Sequence, residues 1–249
     1  TYLLDASAPS LGFNHLSPEC YNGDARVIAD LPSLLPLSAD SLMESKLTTV
    51  FMINDDKNIT GSFTTKLGNR ESEGIRKKLL TTKQEDFFKD IKKAYTFDVE
   101  LSNTQIDSLK IPEEPVAIMY DIKFNFSEDE DMVYFNPMLA EITKDNPFSA
   151  AERLYPVEMQ SCFDETYILN MDIPKGYKVE ELPKSARVKL NEDEGMFEYI
   201  IAGSNDKIQL RCRTVVKKAN FDPEDYQTLR DFFAFVVKKQ AEPIVFKKQ

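Results

Sequence analysis

The chain has 249 residues, 42% apolar and 29% charged, which is enough to bury a core and too apolar for disorder. Lys and Arg total 31 against 42 Asp and Glu, and the net charge of −11 argues against a nucleic-acid backbone as partner. No apolar run approaches the ~20 residues that span a bilayer. Three scattered cysteines, Cys20, Cys162 and Cys212, argue against a full disulfide framework and leave room for one bridge.

Taken in chain order, residues 1–38 read as a tail, punctuated by Gly12, Pro18, Gly23, Pro32 and Pro36. Paired strands follow: Lys46 to Ile53 and Ile59 to Leu67 flank the turn-forming Asn54-Asp55-Asp56-Lys57, which predicts a hairpin. Arg70 to Leu80 reads as helical. Thr82-Lys83-Gln84-Glu85 fits a capping box, and Phe87, Phe88, Ile91 and Ala94 recur at helical spacing, so a second helix is expected from about Lys83 to Ala94. Val116 to Phe126 alternates apolar and polar without a break, the pattern of an antiparallel strand with one wet face. Ser127 to Asp131 is expected to turn, and Met132 to Phe135 to return. Further strands are predicted at Tyr167–Ile173, Ala186–Leu190, Met196–Ala202 and Lys207–Val216, the last placing Cys212 inward as a small hydrophobe. Asp222-Pro223-Glu224 opens a final helix with Tyr226, Leu229, Phe233, Val236 and Val237 as its stripe, and Ile244 to Phe246 closes the chain as a strand. The predicted fold class is mainly β, a β-sandwich-like arrangement of antiparallel sheets with two or three packed helices, one of them C-terminal.

The opening Tyr2-Leu3-Leu4-Asp5-Ala6-Ser7, with Pro9 beyond, places an apolar run against an aspartate where a strand should be ending, as though the chain began mid-element. This string resembles the end of a transglutaminase-like, papain-type core, in which Cys, His and Asp act in that chain order. Further phrases resemble the domain of unknown function that follows such cores in bacterial envelope proteins. They are Cys20-Tyr21-Asn22-Gly23, Asn146-Pro147-Phe148, Arg153-Leu154-Tyr155-Pro156-Val157, Pro174-Lys175-Gly176-Tyr177-Lys178-Val179-Glu180 with Leu182-Pro183, and Tyr226 to Phe233 with Lys239 to Val245.

The resemblance implies that residues 1–38 are the C-terminal remnant of that core plus a linker. Residues 39–249 would then be a β-rich accessory domain, with a subdivision at 110–115. It implies an exported, periplasmic or cell-envelope parent protein with transglutaminase or cysteine-peptidase chemistry. Asp5 would orient a His and Cys that lie outside this chain, and the chain itself would be non-catalytic, packing on its upstream core or positioning a protein or glycopeptide substrate. No cofactor, metal or nucleic-acid partner is expected.

Read from the residues alone, Asp5 is better explained as a strand-end aspartate capping a turn toward Pro9, and it is the resemblance that reverses this. A local set of Asp5, His15 and Cys20 has the right residue types, but reversed order and no rigid scaffold. His15 is the chain's one histidine, which excludes a multi-His metal site. Glu128-Asp129-Glu130-Asp131 lacks the spacing and glycine of a calcium loop and reads, like Asp55-Asp56, as a solvated tip. Arg76-Lys77-Lys78, Lys217-Lys218, Lys238-Lys239 and Lys247-Lys248 read as solvated faces. Phe124, Phe126, Tyr134 and Phe135 read as core. The alternative function is a free-standing glycan- or peptide-binding sandwich.

Overall fold

The computed structural model describes every residue except Thr1, Pro9, Asp56, Lys57, Ser127 to Glu130 and Asn205. In chain order come β1 (Asn22–Val27), β2 (Ser33–Ser38), β3 (Met43–Asp55), β4 (Asn58–Lys66), α1 (Asn69–Leu79), α2 (Gln84–Ala94), β5 (Glu100–Asp107) and β6 (Ala117–Phe124). Then follow β7 (Met132–Phe135), β8 (Val157–Glu158), β9 (Cys162–Asp172), β10 (Tyr177–Glu181), β11 (Ala186–Lys189), β12 (Gly195–Gly203), β13 (Lys207–Val216), β14 (Asn220–Phe221), α3 (Tyr226–Gln240) and β15 (Ile244–Lys248).

Eight strands form one sheet in the order β11-β12-β13-β9-β3-β4-β6-β5. Every neighbouring pair is antiparallel except β3 and β9, which run parallel from Met43 opposite Cys162 to Met52 opposite Met171. That seam joins a first half, residues 43–124, to a second, residues 162–216. The period of two along each strand decides which face is buried. Val50 and Met52, Phe63, Ile118 to Phe124 at alternate positions, Leu169 and Met171, Phe197 and Tyr199, and Ile208 and Leu210 all point to one side.

Three covers close that side. Helix α2 sets Phe88 against Tyr120, and α3 sets Phe233 against Phe163 and Phe235 against Phe197. A three-stranded sheet, β10-β15-β7, packs Phe135 against Phe124 and Phe246 against Phe126. The molecule is therefore mainly β and sandwich-like with three helices, one C-terminal, as its patterning predicts. The middle of the opposite face of the large sheet is open to water, with Phe51 and Ile53 54% and 59% exposed there.

Several local expectations need correction. The Thr82 capping box does not form: α2 starts after Lys83 with no side-chain cap. Met132–Phe135 does not return against the preceding strand but pairs with β15, because β6 is already flanked by β4 and β5. Tyr134 faces solvent rather than the core. Lys239 is buried, its ammonium 5.3 Å from the Tyr199 ring and 2.5 Å from Glu242. The tail contains a hairpin, β1 with β2. The three cysteines are free, Cys20 exposed and the other two buried. The acidic tip Glu128-Glu130, Asp56 and the Ser127 turn lie outside the described residues.

Candidate functional site

Asp5 organises the N-terminal loop. Its Oδ1 accepts the Ser7 amide at 3.0 Å and the Ser7 hydroxyl at 2.5 Å, while Oδ2 accepts the Ser17 amide at 3.1 Å and the Ser17 hydroxyl at 2.6 Å. These four donors favour the charged form, and they hold the carboxyl well below the usual carboxylate range, the Ser17 hydroxyl contributing most. His15 lies apart from this carboxylate, in a hollow of about 120 Å³ with Leu16, Tyr21, Arg70 and Glu73. Cys20 is exposed on a one-turn 3₁₀ helix. The loop thus joins Asp5 to two serines and brings neither His15 nor Cys20 to it.

The segment is tied to the body through Asp40. Its carboxylate accepts the Ala219 amide at 2.5 Å and both nitrogens of Asn220 at 3.3 Å. Burial disfavours that charge, but these bonds outweigh it and lower the carboxyl below its ordinary value. Above this anchor the apolar side chains of residues 2–38 find little cover. Ile28 is 94% and Leu31 87% exposed, and Tyr2, Leu4, Phe13 and Leu34 are exposed as well.

A second concentration of chemistry lies where the core opens at the ends of β3 and β9. Inward positions that are apolar further along become charged here: Lys46 precedes Thr48, Val50 and Met52, and Glu165, its register partner, precedes Tyr167, Leu169 and Met171. Helix α1 adds Arg70 and Glu71, and a 3₁₀ turn adds Glu141. Lys46, Glu165, Arg70 and Glu71 line a cleft of about 380 Å³ together with Met159 and Phe163, and Glu141 lines a neighbouring hollow of about 60 Å³ that Lys46 and Glu165 share. Lys46 Nζ sits 2.7 Å from Glu141 Oε2. Burial opposes its charge, but Glu141 foremost, then Glu71 and Glu165, push its pKa up to about 12. Surrounding protein raises the Glu165 carboxyl above its ordinary value, and Glu71 and Glu141 add to this while Lys46 and Arg70 oppose it. Arg70 donates to Gln160 Oε1 at 2.7 Å, and its amide donates to Glu44 at 3.1 Å. An ammonium held charged in this way binds and orients; it does not serve as a nucleophile, which needs the free amine. These residues come from four distant segments. Their one signal in the sequence is a charge in phase with an inward apolar row.

Among the described residues no group of three or more His, Cys, Asp and Glu is placed to hold a metal ion. None of the helices there is long and apolar enough to cross a membrane. Residues 131–246 match the family DUF3858, a domain of unknown function with solved structure. No curated protein and no solved structure matches the chain. The DUF3858 match takes in β7 to β14, α3 and most of β15, so it holds the second half of the large sheet and one strand of the seam, but not β3.

Proposed function

We propose that this chain is a non-catalytic accessory domain of an exported, periplasmic or cell-envelope protein with a transglutaminase-like or cysteine-peptidase-like core. In this reading residues 1–38 belong to that core and its linker, and residues 39–249 pack against it or position its protein or glycopeptide substrate. The observation that carries the reading is the N-terminal segment itself. Seven large apolar side chains, Val27 among them, are left in water on a segment whose loop is fixed around a charged aspartate, and such a patch marks a surface that another body covers. Asp5 would then present its carboxylate to an imidazole supplied by the core, orienting it while a thiolate attacks a carbonyl carbon.

The test uses the protein as its gene encodes it. A Cys and then a His should precede Thr1, the intact protein should show thiol-dependent acyl transfer or hydrolysis, and Asp5→Asn should lower kcat by about 10³-fold or more with an unchanged circular dichroism spectrum. Absence of the Cys–His pair, or full activity in Asp5→Asn, overturns the reading.

A further inference from the structure

The face of the large sheet opposite the core carries a positively charged hollow of about 530 Å³ beside the start of α1. Lys66, Arg211 and Arg213 line it against one acid, Asp164, in a chain whose net charge is −11, while Lys46 at its edge turns its ammonium to the other face. Not all of that positive charge is answered. Arg213 is spent on Asp164, with Nε at 2.8 Å and Nη2 at 2.5 Å, and Lys46 on Glu141. Arg211 reaches Glu198 at 3.1 Å, but Glu198 is shared with Arg187, so two guanidinium groups face one carboxylate. Lys66 is exposed and has no acidic partner among the described residues. Lys66 therefore remains to be met from outside, and Arg211 has only a share of one carboxylate. Helix α1 starts at the rim with Gly68 as its N-cap, and its positive end is already answered by Glu44, which accepts the Arg70 amide at 3.1 Å.

An apolar row leads away from the hollow. Leu47 stands in register with Lys66, and Phe51 and Ile53 follow on the same face of β3, with small or polar Ser62, Thr60 and Asn170 as register neighbours. Six residues of strand put Ile53 about 20 Å from Leu47, the length of an extended peptide of six or seven residues. Charge at one end and apolar contacts along the rest fit one ligand. We propose that this face binds an extended acidic peptide segment, its carboxylates in the hollow at Lys66 and Arg211 and its apolar side chains along Leu47, Phe51 and Ile53. The surface is separate from the N-terminal segment and does not depend on the reading given for it.

Binding is measured by fluorescence anisotropy with a labelled octapeptide of four glutamates followed by alternating leucine and serine. Saturable binding that weakens with added salt is expected. Lys66→Glu, an exposed change that leaves the fold intact, should weaken it by about tenfold or more, and Phe51→Ser by a few-fold. Lys93→Glu, on α2 at the other side of the sheet, should change nothing. The proposal is overturned if the octapeptide does not bind, or if Lys66→Glu binds it as the parent does. It is equally overturned if serines in place of the four glutamates make no difference, or if anionic lipid vesicles capture the protein and the octapeptide fails to compete.

Discussion

Tyr199 lies wholly inside the core, and its hydroxyl has no hydrogen-bond partner among the described residues. Cys212 is its register partner, and the Lys239 ammonium lies over its ring rather than at its hydroxyl. A buried unmade hydrogen bond costs about 1–3 kcal/mol, so Tyr199→Phe should raise stability by about 1 kcal/mol, read as a higher midpoint in urea with the slope unchanged. Glu165, exposed at the mouth of the cleft and so screened by water, makes a small prediction with a definite sign. Its folded pKa is raised, so the folded state holds the proton more firmly than the unfolded chain, and stability declines as pH rises from the unfolded value near 4.3 toward the folded one. Glu165→Gln removes that loss. Its thermal midpoint should exceed the parent's at pH 7, and the two should converge below about pH 4. A gain that grows toward acid would refute this assignment.

At the scale of elements, α1 is fixed by one side chain that no periodicity announces. Arg76, buried, donates to the carbonyls of Ser108 at 3.0 Å, Leu109 at 3.3 Å, Ile111 at 2.8 Å and Glu114 at 2.5 Å, and so holds the 108–114 connection between β5 and β6. Burial lowers its pKa, with Glu113 and Glu73 opposing. Arg76→Ala should cost about 3 kcal/mol and open residues 108–114 to proteolysis before the rest unfolds. In the sequence Arg76 belongs to a basic triplet and reads as surface, because one-dimensional patterning cannot tell an arginine facing water from one facing carbonyls. Strands with clean alternation, β6 and β13 above all, announce themselves, since a period of two survives without knowledge of partners. Strand β5 does not. It is an edge strand with a register shift between Ser102 and Gln105 and a left-handed Asn103, and its outward side chains leave no alternation to read. The charged cleft escapes for a related reason: Lys46 and Glu165 are 119 positions apart, and only the parallel register sets them side by side.

For the molecule as a whole, the stretch matched by DUF3858 is not a closed structural unit. Cutting at residue 131 would remove β3 and leave β9 with a bare edge of about ten residues beside inward-facing Leu169 and Met171. Residues 131–249 alone should therefore self-associate, seen as an early-eluting or insoluble species by size exclusion, whereas the full chain should not. Supplying residues 39–130 in trans should restore a soluble complex. If the 131–249 fragment is monomeric and cooperatively folded, the seam is dispensable. The same junction sets a timetable during synthesis. The four strands β3 to β6 are complete at residue 124, but the ribosome must add 48 more residues before β9 ends at Asp172. At translation speeds of about 5–20 residues per second that interval lasts on the order of 2–10 s. Throughout it the nascent chain offers an unzipped β3 to any other strand in the vicinity, so yield should depend on elongation rate and on helpers that shield that flank.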